Sequence, residues 1–272
     1  MKKGLALLTF LALLLTATGA SALVERNLLL DAAFVMLEEG DPILERYNEI
    51  TGADIQVRYE LGIPYFFGGK DPERLMTIGH AVETMNTYVE GQRYIYGFDC
   101  SGYMDWINNE TGRPKNDTLE YMITKYGLYK DNQLPVKDVP YDQLKDYLEV
   151  GDYLVTKVNR RHIMMYVGTL ADYGYTAEDA PELAEYLDYP LLIHCGKNPT
   201  YGERYAKYIE ENELNCIEPS GGVAFTIVGM PVEDVPHYVR AYKSDVYYFD
   251  LDGYMLTVQD LSITTSYVWF RQ

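Results

Sequence analysis

Two stretches decide the fold: Tyr153-Leu154-Val155-Thr156, and His162-Ile163-Met164-Met165-Tyr166-Val167-Gly168. Both are rich in β-branched and aromatic residues and read as strands. Leu191 to Cys195 follows in the same style, and Val246-Tyr247-Tyr248-Phe249 and Thr264 to Phe270 favour strands again. Upstream the pattern is helical. Leu28, Leu29, Ala32, Ala33, Met36 and Leu37 recur at helical spacing within 25–51, and Gly40-Asp41-Pro42 breaks them before a second short helix. Asp71-Pro72-Glu73 carries the cap and first-turn proline of a helix expected to run to about Val89. Another helix is expected from Cys100, carrying Tyr103, Met104, Trp106 and Ile107. Residues 178–189 and 203–214 read as helices or turns set between strands. Helices first and strands after predict an α+β chain, with N-terminal helices packed on an antiparallel sheet.

The 272 residues are 47% hydrophobic, which excludes a disordered chain and allows one large domain. Against 23 basic residues stand 41 acidic ones, so no nucleic-acid partner is expected. Lys2 and Lys3, the apolar run Leu5 to Leu15, and Ala20-Ser21-Ala22 have the layout of a secretory signal peptide over residues 1–22. The rest divides into a helical segment, 23–60, and a main domain, 61–272. No later stretch approaches the length of a membrane span. The expectation is an exported product, secreted or wall-associated, with no stable membrane insertion once the leader is removed.

Export changes how the three cysteines are read. With Cys100, Cys195 and Cys216 the count is odd, so at least one thiol has no intrachain partner. Cys100 lies where a loop enters a helix, in Gly97-Phe98-Asp99-Cys100-Ser101-Gly102. Unpaired N–H groups and the positive end of the helix dipole there favour thiolate. His162 opens one strand and His194 ends another. Thiolate, imidazole and a polar group orienting that imidazole are what cysteine acyl-transfer chemistry needs.

The local sequences resemble the NlpC/P60 family of cell-wall cysteine peptidases. Four pieces match in order. Tyr65 to Gly69 is similar to the family's Tyr-x-x-Gly-Gly segment, and Phe98-Asp99-Cys100-Ser101-Gly102 to its nucleophile motif. Leu148-Glu149-Val150-Gly151-Asp152 is similar to the turn entering its first core strand, and His162 to Gly168 to its catalytic-His strand, with Ile193-His194 as the echo. The resemblance covers about residues 61–200. It implies a reduced papain-like fold with Cys100 as nucleophile, His162 as base and His194 holding the His162 ring. It also implies Tyr65 near the thiolate or the oxyanion, and Asp99 and Ser101 at positions that contact substrate. The implied substrates are peptidoglycan stem peptides, cut between D-γ-glutamyl and a diamino acid by a bacterial exported enzyme. No metal or organic cofactor is expected, and no zinc-type ligand spacing is present.

Departures from the family pattern bear on specificity. A long segment separates Gly69 from Cys100, which makes Tyr94 and Tyr96 alternatives to Tyr65. Met164 replaces the usual glycine two residues after the base, and strand alternation places it beside His162 on the cleft side. Arg161 replaces a small residue and offers a guanidinium for a substrate carboxylate. The competing functions are an amidase acting on another exported amide and a non-catalytic wall-binding relic. If His194 faces the cleft, Cys195 points the other way, away from Cys100, leaving Cys216 as its sole possible partner or both as separate thiols. His80 within a helix and His237 in a polar segment read as surface residues, and the acidic residues 178–188 as a solvated helix face.

Overall fold

The computed structural model describes residues 27–80, 89, 91–113, 133–156, 162–241, 244–262 and 267–272. Residues 1–22, expected above to be a leader, and Arg161 lie outside them.

Two short helices begin the described chain. Helix α1, Leu28–Phe34, is capped by Asn27, whose side chain accepts from the Leu29 N–H. Helix α2, Pro42–Thr51, starts on Asp41, which accepts from Ile43 and Leu44, and stops at Gly52 in the left-handed region. Both bury an apolar side. The Phe34 ring stands edge-on to Tyr47 at 5.0 Å and to Phe225 at 5.5 Å, docking this pair of helices on the sheet.

The expected helix after Asp71 is not formed over residues 72–80. Asp71 does cap, but only the single 3-10 turn Pro72–Arg74 follows. Met76 then adopts a left-handed φ of 63°, which an α-helix cannot continue through. Ile78–His80 (β1) instead pairs antiparallel with Arg93–Ile95 (β2). The part expected over 81–88 lies outside the described residues. His80 and His237 are both exposed, as expected.

Helix α3 is Cys100–Glu110. After it come β3 (Tyr153–Thr156), β4 (His162–Gly168), β5 (Leu191–Lys197) and helix α4 (Thr200–Glu211). The chain ends with β6 (Gly221–Val228), β7 (His237–Ala241), β8 (Ser244–Leu251), β9 (Tyr254–Gln259) and β10 (Tyr267–Phe270). Eight strands form one sheet in the order β10-β3-β4-β5-β6-β9-β8-β7, antiparallel except for β6 beside β9. The chain is therefore α+β, with a large, mostly antiparallel sheet.

Alternation gives that sheet two covered faces. Ile163, Met165 and Val167 of β4, with Ile193 and Cys195 of β5, pack in the larger core with α1, α2 and α3. Leu154, Met164, Tyr166, Leu192 and Trp269 point the other way. There they meet Val136, Leu144 and Leu148 from the segment leading into β3. Residues 178–188 form turns and the 3-10 turn Pro181–Leu183, not an α-helix, with Glu178, Glu182 and Glu185 exposed. Asp179 and Asp188 there pair with Arg46 and Lys145.

Candidate active site

Helix α3 starts at Cys100 because Asp99 is a strong cap. The Asp99 carboxylate accepts from the Gly102 N–H at 2.6 Å and from the Ser101 hydroxyl at 2.9 Å. Its second oxygen accepts from the Gly68 N–H at 3.1 Å. Asp99 and Ser101 are both buried. Their polar groups hold the helix start together, a role their sequence positions did not disclose.

The turn after Tyr65 is laced to this loop. Phe66 N–H donates to the Phe98 carbonyl at 2.8 Å, Phe98 N–H to Pro64 at 3.1 Å, and Asp99 N–H to Gly69 at 2.9 Å. A Cβ at Gly102 would collide with the Gly69 carbonyl, so the helix start and the turn touch backbone to backbone. Of the three tyrosines, Tyr65 is the one in this turn. It is partly buried, and its N–H donates to Gly221 at 2.6 Å. The Tyr96 hydroxyl instead accepts from the Lys70 and Asp71 N–H groups, and that of Tyr94 accepts from Val89.

His162 and His194 meet. Nε2 of His162 lies 2.9 Å from Nδ1 of His194, with the rings nearly perpendicular at 87°. Burial pulls His162 down to about 4 and His194 well below the usual imidazole range; a charge on His162 lowers His194 further. Both shifts favour the neutral rings at pH 7 and oppose charging both imidazoles together. One ring must donate to the other. If His162 donates through Nε2, its Nδ1 keeps a lone pair and can accept a proton from elsewhere.

The cysteine and the histidines reach this end of the sheet from different sides. Helix α3 packs against β4 and β5. It lies over the face carrying Ile163 and Cys195, whereas His162 and His194 alternate onto the other. The Cys195 thiol donates to the Phe98 carbonyl at 3.2 Å. Cys195 thus does point away from the histidines, but this sets it under the Cys100 loop instead of far from it. Burial raises its pKa well above the ordinary thiol range. No disulfide joins the three cysteines: Cys100 and Cys195 are buried, and Cys216 is partly buried beside α4.

Met164 does not line a cleft. It shares a sheet face with His162, but it is 1% exposed and packs among Leu154, Leu192 and Trp269. Alternation gave the correct face and missed the layer covering it. Sequence reasoning also passed over Gly196, two residues after His194, where both imidazoles crowd the space a side chain would fill. The available signal was a glycine inside a strand, which marks a close approach. Among the described residues no cluster of His, Cys, Asp or Glu is arranged to hold a metal ion.

Comparison with protein-family models, with curated proteins and with solved structures finds no match for this chain.

Proposed function

We propose that this chain is a secreted cysteine peptidase of the reduced papain-like type, hydrolysing amide bonds in peptidoglycan stem peptides. One observation carries the reading: the His162–His194 contact lies at the end of the sheet that the loop delivering Cys100 crosses. Support also comes from the resemblance of 61–200 to the NlpC/P60 motifs.

In this reading the Cys100 side chain meets His162 around the end of the sheet, His162 Nδ1 takes the thiol proton, and the sulfur attacks the amide carbonyl carbon. As His162 becomes an imidazolium, its Nε2–H bond to neutral His194 becomes charge-assisted, which is the stabilisation the pair supplies. The oxyanion is met by the Cys100 N–H at the first position of α3, with Tyr65 beside it. The imidazolium then returns its proton to the departing amine as the C–N bond breaks. Water, deprotonated by His162, cleaves the thioester and regenerates the thiol. Asp99 and Ser101 shape the site by holding the helix start.

A second reading, an amidase acting on another exported amide, is favoured by the burial of Met164. The apolar layer closes that side of the histidine pair, where a peptide would otherwise run.

The test is incubation of the purified chain with muropeptides, read by mass spectrometry, with Cys100→Ala as control. A defined cut absent from the variant supports the peptidase. If muropeptides stay intact while simple N-acyl amides are cleaved by the wild type, the amidase replaces it. If Cys100→Ala cuts as well as wild type, both readings are wrong.

A further inference from the structure

We propose that Gly196 is a positioning residue: its missing side chain lets the His194 ring fold along β5 and reach His162. The inference rests on the reading of His162 as the base. In a strand, residues 194 and 196 share a face, and their side chains ordinarily stand side by side. Here a Cβ on Gly196 would fall closest to His194 Nδ1, then 2.8 Å from His194 Cε1 and 3.0 Å from His162 Cε1. The atom most obstructed is the one in contact with His162 Nε2.

The backbone itself does not require glycine here, because Gly196 is not among the left-handed residues. Glycine inside a strand is unfavourable, having more freedom to lose on folding and nothing to pack. The three atoms nearest to a Cβ there all belong to the two imidazoles. Alanine at this site would therefore strain the ring pair and not the chain. The ring of His194 would be driven off Gly196, and the Nε2–H of His162 would lose its acceptor. His162 would then be free to turn or change tautomer, taking its basic nitrogen out of line.

The experiment uses Gly196→Ala in the purified chain, with Gly202→Ala as control. A Cβ at Gly202 in α4 meets only the Pro219 carbonyl, at 3.5 Å. Ring-nitrogen NMR reads the imidazoles directly, and the chain has just four histidines to assign. In Gly196→Ala the ring nitrogen shifts of His162 and His194 should lose the signature of a hydrogen-bonded pair. The turnover number kcat for amide hydrolysis should fall about 100-fold with KM little changed, as expected for a misplaced catalytic group. On a His194→Ala background the same methyl should cost no more than about twofold further, because the ring it displaces is gone. Unchanged histidine spectra in Gly196→Ala overturn the proposal, as does an equal loss on both backgrounds. If the rings separate in Gly196→Ala but the wild type hydrolyses no amide tried, the positioning role stands and the peptidase reading falls.

Discussion

The Cys195 thiol donates to the Phe98 carbonyl across 3.2 Å, two residues before Cys100. An un-ionised thiol therefore lies beneath the loop that carries Cys100, on the sheet face opposite the histidine pair. Its raised pKa makes it a poor nucleophile in the folded protein. Native alkylation should leave Cys195 unmodified until the chain unfolds. Intact mass should be the same with and without reductant, since Cys195 and Cys216 are not bridged. Cys195→Ser keeps a second donor for Phe98, whereas Cys195→Ala leaves that carbonyl with the Phe66 N–H alone and should cost about 0.5–1.5 kcal/mol in denaturant unfolding.

Cys100→Ala should reduce hydrolysis to background without changing the unfolding midpoint greatly. His162→Ala should cost about 100-fold to 10,000-fold, the range for a general base. His194→Ala should be milder, because water can replace part of an orienting contact. A larger loss at His194 than at His162, measured by steady-state kinetics, would reverse their roles.

The acid limb of activity should follow His162. Neutral His162 is the reactive form, and its protonation is displaced from the ordinary 6.5 to about 4. kcat/KM should therefore hold through pH 6 and fall only as pH approaches 4. A limb centred near 6.5 would mean that the base is an ordinary, solvated imidazole.

Stability should change with pH in the same window. Between pH 6.5 and about 4 the unfolded chain binds protons at His162 and His194 that the folded chain refuses. The stability associated with their neutral state is complete above 6.5 and is lost as pH falls, by at most about 1.4 kcal/mol per unit for each histidine. Asp41 works in the opposite sense. Burial pushes its carboxyl up to about 7 from the ordinary 3.8, so its protonated form favours the fold, and that contribution fades as pH rises through 7. Asp41→Asn retains a capping oxygen and removes the opposing effect. Urea unfolding across the window should show a steeper acid loss in Asp41→Asn than in the wild type.

Met164→Ala should act on stability and not on the range of substrates. A fully buried methionine cut to alanine costs about 2–5 kcal/mol. Denaturant melts should show that loss, while the ratio of rates on different peptides stays constant. A broadened range at unchanged stability would return Met164 to the cleft.

Much of this arrangement was legible along the chain because it depends on neighbours in sequence. Asp41-Pro42 and Asp99-Cys100 start helices since a carboxylate can reach N–H groups two and three residues on. The same local signal misled at Asp71-Pro72. A cap starts a turn, but long-range contacts decided how far it ran: Met76 N–H donates to Tyr96 and Tyr96 N–H to Thr77, drawing the chain into a hairpin.

The sequence by itself determined the α+β class, the start of α3 at Cys100, and the strands that carry His162 and His194. Each rests on periodicity or capping within a few residues, where geometry is fixed by covalent connection. Only the tertiary structure decided which face of the sheet is covered by what. It put Cys195 under the Phe98 carbonyl, buried Met164 beneath residues 136–148, and set two imidazoles over Gly196. Those contacts join parts of the chain far apart in sequence. A strand's alternation states which residues share a face, but not which layer will close over it.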